Sequence, residues 1–238
     1  MLMNESHKTN LLRSQQFKDN YIRGRIIDIG AGADLVTPLA EPFDLAQGDA
    51  NRILEYREPS TYDCVHSSHC LEHMRDPGAA LAQWWGLLQP GGYLVLVVPE
   101  ESLYEQGFWP SMFNPDHKHT FRLDNDQTWS PVSIDIRALC SQLEGAEVIE
   151  AQVQNDGYDH RLRPTIRPHG VIGDVFFRII VKARARLLQV PLFGQTIDGV
   201  MVRICRAINS PVDQTLGNAV AQIQVVVQKR GNYLPPTI

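Results

Sequence analysis

An α/β fold with a mainly parallel sheet is predicted, and three observations predict it. Short β-branched or apolar runs alternate along the chain with stretches of helical periodicity. The first such run, RIID at 25–28, stops at Gly30-Ala31-Gly32, as a strand passing into a tight loop does. A later run, GYLVLVVP at 92–99, is apolar throughout, which suits a strand covered on both faces.

The elements follow in order. Residues 1–23 are polar and mixed, and are expected to form a helix or arm over the core. After the first strand, Pro38 and Pro42 interrupt any helix, and Phe43-Asp44-Leu45 closes a second strand unusually soon. Residues 62–68 (YDCVHSS) are a third strand. Asp76 before Pro77 is a helix start, with Asp as N-cap and Pro at the first helical position. Leu81, Trp84, Trp85 and Leu88 then recur at helical spacing, so both tryptophans are expected in the core. Pro90-Gly91-Gly92 stops that helix and leads into the apolar strand. Residues 101–131, rich in Trp, Phe, Pro and His, show no periodicity and read as a long functional loop. A helical pattern resumes over 132–143, a strand is expected at 146–153, and a final strand at 219–229. Helices are expected near 172–189 and 197–208. The chain is therefore one domain: an arm at 1–23, a core at 24–156, a helical insertion at 157–217 and a last strand within 218–231.

Composition excludes several classes. With 238 residues, 43% of them hydrophobic, the chain can bury one large core without metal or disulfide staples. Cys64, Cys70, Cys140 and Cys205 form no CxxC pair, and the start is polar, so reduced thiols and a cytoplasmic location are expected. No apolar run approaches the ~18 residues of a membrane span. The net charge of −5 argues against a nucleic-acid partner, but it hides an asymmetry. Residues 161–210 carry nine Lys and Arg against two acids, a net of +7, which leaves −12 for the remainder. Within this stretch Arg178, Lys182 and Arg186 fall on one helical stripe. A cap packed on the core is the plain reading. Peripheral membrane contact through 172–190, or recognition of an anionic or lipid-linked substrate helped by Arg161, Arg163 and Arg167, is the functional one.

The sharpest local signal is Asp28-Ile29-Gly30-Ala31-Gly32 directly after a strand, where glycines let the backbone turn and approach a ligand closely. Leu35 stands where a dinucleotide fingerprint needs its third glycine, so a nicotinamide cofactor is disfavoured. Asp44, at the end of the second strand, is placed to accept ribose hydroxyls, and Asp49 in Gly48-Asp49-Ala50 to accept an adenine amino group.

Those residues, followed by YDCVHSSHCLEHMRDPGAALAQWWGLLQPGGYLVLVVP at 62–99, resemble the class I S-adenosylmethionine-dependent methyltransferases. The likeness is strongest to the branch whose fourth strand reads SSHxLEH. It covers 24–100 and extends more loosely through 153 and to the last strand. It implies a Rossmann-like fold with a seven-stranded, mostly parallel sheet and an antiparallel last strand. It also implies S-adenosylmethionine as cofactor and S-adenosylhomocysteine as product. Carried over residue by residue, Asp28, Gly30, Ala31 and Gly32 form the first loop under the methionine part. Asp44 holds the ribose and Asp49 the adenine, with Leu45 and Ala50 lining the ring. Ser67, Ser68 and His69 stand beside the methyl group and the acceptor. The family has a full helix and a third strand between its ribose and adenine acids, where this chain has only Ala46-Gln47-Gly48.

An oxygen acceptor must lose its proton, and a histidine of near-neutral pKa suits that task. His69 and His119 are the base candidates, while His66, by parity on the other face of its strand, and His73 read as structural. Asp156, Asp159 and His160 are within reach of the site or are turn residues. Asp116, His117 and His119 lack a further ordered ligand set, so no metal is expected. Tyr104, Phe108, Trp109 and Phe113 would form a lid over the site or pack on the sheet. The expected reaction is O-methylation of a saccharide, nucleotide-sugar or cell-surface glycan precursor. The alternatives are a small-molecule or quinone-like lipid acceptor, or a catalytically silent S-adenosylmethionine-binding protein.

Overall fold

The structure, a computed structural model, describes residues 5–165, 171–188 and 194–231. Its main sheet is built from β1 (Ile26–Ile29), β2 (Glu41–Phe43), β3 (Tyr62–Ser68), β4 (Leu88–Pro99), β7 (Ala146–Gln154) and β8 (Gln222–Lys229), in the order β2-β1-β3-β4-β8-β7. The pairs among β2, β1, β3 and β4 are parallel, and β8 runs antiparallel to both its neighbours. A short parallel pair, β5 (Thr120–Arg122) with β6 (Ser133–Asp135), stands apart.

The α/β expectation holds, with six strands in the main sheet rather than seven. The missing strand would lie between β2 and β3. There Asp49 caps a 3-10 turn at Ala50–Glu55, and the EYREPST stretch that follows is polar and carries Pro59, leaving no apolar run to bury as a strand. No helix separates β1 from β2, in keeping with the two prolines. The 132–143 pattern also divides: its first residues pair as β6, and Asp135 accepts from the Ala138 N–H to start a short α4 (Ile136–Ser141).

One core lies between the sheet and α3 (Pro77–Gly86), where Asp76 is the predicted N-cap. Trp84 is fully buried there and its Nε1–H donates to the Ala50 carbonyl at 2.9 Å, pinning the 3-10 turn to the helix. Burial of such a ring contributes roughly 4–6 kcal/mol gross. On the other face, α2 (Gln15–Tyr21) brings Phe17 and Tyr21 against Ile22, Ile26 and Val95. The preceding α1 (Glu5–Leu12) reaches the sheet itself, since Thr9 Oγ1 donates to Gln222 Oε1.

The insertion carries α5 (Val171–Leu187) and α6 (Gly194–Ala207). Arg184 is buried and forks onto Asp198 at 2.6 and 3.0 Å, tying the two helices together. Arg178 leaves the expected basic stripe: it donates to the Ser111 and Pro110 carbonyls. Arg167 lies outside the described residues. Phe177 packs on Phe108 and Met112, so that part of the 101–131 loop is anchored to α5. No helix among the described residues is long and apolar enough to cross a membrane.

Candidate active site

The carboxyl ends of β1, β2 and β3 open into a cavity of about 710 Å³, of the size that takes a cofactor. Gly30, Phe43, Asp44, Leu45, Gly48, Asp49, Ala50 and His69 line it, together with Asn51, Tyr56, Cys70, His73, Met74, Arg75, Asp116 and Lys118. Six of the predicted cofactor and base residues (Gly30, Asp44, Leu45, Asp49, Ala50 and His69) thus meet at one wall.

Backbone geometry explains the glycines. Gly30 has φ +77°, and a Cβ there would stand 2.6 Å from the Cys70 sulfur. Gly32 has φ +58° with open space where its Cβ would be. Asp44 joins this loop to β2: its carboxylate accepts the Gly32 N–H at 3.0 Å and the Leu45 N–H at 2.7 Å, with lone pairs to spare. Asp49 accepts from the Asn51 N–H and side-chain amide. Those hydrogen bonds, with Arg75 and Arg52 beyond them, hold its carboxyl below the usual range.

The other residues singled out stand behind the wall. Asp28 is buried, accepting from His66 Nδ1 at 2.6 Å and from the Val36 N–H at 2.7 Å, so it fixes the loop from beneath. His66 in turn faces Arg13 Nη1 at 3.0 Å, and desolvation, outweighing Asp28, pushes its pKa down. Ser67 donates to the Ile29 carbonyl, and Ala31, Gly32 and Ser68 are outside the cavity lining. His69 sits at the end of β3 with φ +53°, a costly conformation for a residue with a side chain. Its Nε2 is 3.0 Å from Gln222 Oε1, which fixes the ring. His119 turns away, with its Nε2 3.4 Å from the Arg75 carbonyl, and does not line the cavity. Neither do Asp156, Asp159 and His160; Asp159 caps a 3-10 turn through Arg161. The aromatic loop packs inward: Tyr104 lies against Phe113 and His117, and none of Tyr104, Phe108, Trp109 and Phe113 lines the cavity.

Glu72 carries no role in the sequence reading, which takes His73 as structural and sets His117 aside with Asp116 and His119 as an incomplete metal set; the structure brings the three together. Glu72 is 1% exposed and neither carboxylate oxygen has a hydrogen-bond partner. His69 Nδ1 and His73 Nε2 lie 3.8 Å from its Oε1, and His117 Nε2 lies 3.9 Å away. His117 is buried with Nδ1 2.7 Å from Glu105 Oε1. Burial pulls its pKa down, but the Glu105 hydrogen bond and the charges of Glu72, Glu105 and Asp116 outweigh that and raise it. The LEH of the SSHxLEH motif carries the signal, but its meaning comes from Glu105 and His117, more than thirty residues further along the chain.

The comparisons agree with the fold. The sequence profile of the methyltransferase domain matches residues 7–147. No curated protein matches the chain. Among solved structures, the YcgJ protein of Bacillus subtilis superposes with a TM-score of 0.50 at 12% identity, over 94% of this chain and 99% of that one. A SAM-dependent methyltransferase from Archaeoglobus fulgidus gives 0.48 at 12% identity, over 93% and 92%. Phosphoethanolamine N-methyltransferase 2 of Haemonchus contortus, in complex with S-adenosyl-L-methionine, gives 0.47 at 16% identity, and this chain covers 52% of its length.

Proposed function

The chain belongs to the methyltransferase-domain family, and on that premise we propose that it is an S-adenosylmethionine-dependent O-methyltransferase acting on a saccharide, nucleotide-sugar or glycan precursor. One observation carries the reading: a single cavity joins the Gly30 turn, Asp44 and Asp49 to a wall of His69, His73, Arg75, Asp116 and Lys118. The cofactor fits the first group. Gly30 keeps the turn bare on the cavity wall, and the Asp44 carboxylate retains acceptor capacity for a diol. When bound, the cofactor supplies an electrophilic methyl group on a sulfonium.

The chain's own contribution is to orient and to hold protons. Asp44 and Asp49 accept from ribose and adenine donors, while Leu45, 91% exposed, covers the ring. His69, held by Gln222, takes the acceptor hydroxyl proton; methyl transfer otherwise needs alignment more than covalent help. The second wall is polar and charged, which supports a polyhydroxy acceptor over a quinone-like one. The four cysteines are free and buried, in keeping with a cytoplasmic setting. A peripheral contact with an anionic surface is supported by exposed Val175, Phe176 and Ile179 beside Lys182 on α5.

Calorimetric titration with S-adenosylmethionine and its demethylated product, on wild type and Asp44→Ala, tests the cofactor reading. Micromolar binding lost in the variant supports it. Folded wild-type protein that binds neither ligand refutes it. A panel of nucleotide sugars and quinols then tests the acceptor, with turnover confined to the quinols overturning the saccharide assignment.

A further inference from the structure

Outside the cofactor wall, one cluster is left without an account: the buried Glu72 carboxylate and the imidazoles around it. Its chemistry is that of converging acceptors. His117 Nδ1 is engaged by Glu105 Oε1 at 2.7 Å, and His73 Nδ1 lies 3.2 Å from both the Asp116 carbonyl and its carboxylate. Each ring therefore donates through Nδ1 to an oxygen and turns Nε2 toward Glu72, the carboxylate–histidine pattern that orients imidazoles as metal ligands. The two Nε2 atoms stand 3.8 and 3.9 Å from Glu72 Oε1, and the three donor atoms all lie within 4.8 Å of one another. A carboxylate 1% exposed and without a hydrogen bond is costly in isolation.

We infer that Glu72, His73 and His117 form a binding site for a divalent metal ion of the zinc or cobalt type. Two imidazoles and one carboxylate are a ligand set for such ions, with a further position left for water or a substrate oxygen. Ligands of a tetrahedral zinc stand about 3.4 Å apart, so each imidazole nitrogen needs to close on Glu72 Oε1 by about 0.5 Å, and the two imidazoles, within 4.8 Å of one another, by at most about 1.4 Å. His73, on the edge of the cavity, has the room to do so. Among the described residues this is the one set of three or more His, Cys, Asp and Glu side chains that meets the spacing. Because His73 belongs to both the cluster and the cavity wall, the ion would stand where an acceptor oxygen can reach it. That role rests on the proposed methyl transfer, whereas the binding itself does not.

The test uses the full chain stripped with a chelator and titrated with Co²⁺, then with Zn²⁺ as competitor. The expected result is one equivalent of Co²⁺ with the visible absorption of a four- or five-coordinate ion, displaced by Zn²⁺, and a metal-dependent rise in melting temperature. Glu72→Gln and His73→Gln should each weaken binding at least about tenfold, while His160→Gln leaves it unchanged. His73→Gln, at the cavity edge, keeps the test valid if Glu72→Gln fails to fold. Folded wild type that takes up neither ion, or binding undiminished in the variants, overturns the inference. S-adenosylmethionine binding is measured on the same samples. An ion bound without the cofactor would refute the proposed function alone, and the reverse would refute the metal site alone.

Discussion

Asp28→Asn removes one charge and changes almost no volume, yet it should cost the fold about 3–5 kcal/mol. Arg13 carries only donors, and its Nη1 lies 3.0 Å from His66 Nε2, so that nitrogen must accept. The proton of the neutral ring is then on Nδ1, which faces Asp28 Oδ1 at 2.6 Å. The Val36 N–H donates to Asp28 Oδ2 at 2.7 Å. Residue 28 must therefore accept on both sides, which a carboxylate does and an amide does not. Asparagine leaves one buried donor facing an NH₂ and takes away the charge that Arg13 faces across His66; together these losses come to about 3–5 kcal/mol, the range for breaking a buried, hydrogen-bonded charge network. Urea unfolding followed by circular dichroism would read the loss, and the melting temperature should fall by about 6–20 °C. Arg13→Met relieves the constraint, so Arg13→Met/Asp28→Asn should cost about 1–3 kcal/mol less than the sum of the single changes. A single variant within about 1 kcal/mol of wild type, or strict additivity, would refute the relay.

Three further expectations follow from the same geometry. Gly30→Ala should destabilise by about 2–4 kcal/mol and weaken cofactor binding more than Gly32→Ala, whose Cβ meets open space; thermal unfolding with calorimetry compares the two. His66 has its pKa lowered by burial, so the unfolded chain takes up a proton near 6.5 that the folded protein refuses. That contribution to stability is complete above about pH 6.5 and declines as the pH falls below it. His66→Asn should flatten the decline relative to wild type in urea titrations at stepped pH, His117 acting with opposite sign in both proteins. Arg184→Met breaks the fork to Asp198 and the bond to the Asp213 carbonyl. Hydrogen exchange should show protection falling across α5 and α6, with β3 and β4 unchanged.

What was legible in the sequence was local. The Asp76-Pro77 start and the boundaries of β3 are written in neighbouring residues and stand where the sequence put them, and the apolar 92–99 run is strand. β4, however, begins at Leu88, so Leu88, placed on the helix by its spacing, and Pro90-Gly91-Gly92, read as the helix stop, belong to the strand, the helix having ended at Gly86. The strand count was not local. Six strands instead of seven follows from what the polar 55–61 stretch lacks, while the resemblance supplied a strand from the family. The cavity residues Gly30, Asp44, Asp49 and His69 were recoverable because each sits at a strand end or next to a glycine. Glu72 and His117 were not, because a charge becomes informative only once burial removes its water. For His117 that burial comes with Tyr104 and Glu105, from another part of the chain.

The position of β8 has a consequence for how the molecule is made. Residues 222–229 are among the last in the sheet to be synthesised, yet they lie between β4 and β7 with six of eight side chains buried. Until residue 229 has left the ribosome, β4 and β7 each present an open edge, and β4 is one of the most apolar segments of the chain. The nascent protein thus passes through a stage with two unpaired strand edges and an unfinished core, the condition in which edge-to-edge association competes with folding. A ribosome stalled before residue 222 would hold a chain that has its cofactor loop but no continuous sheet to support it.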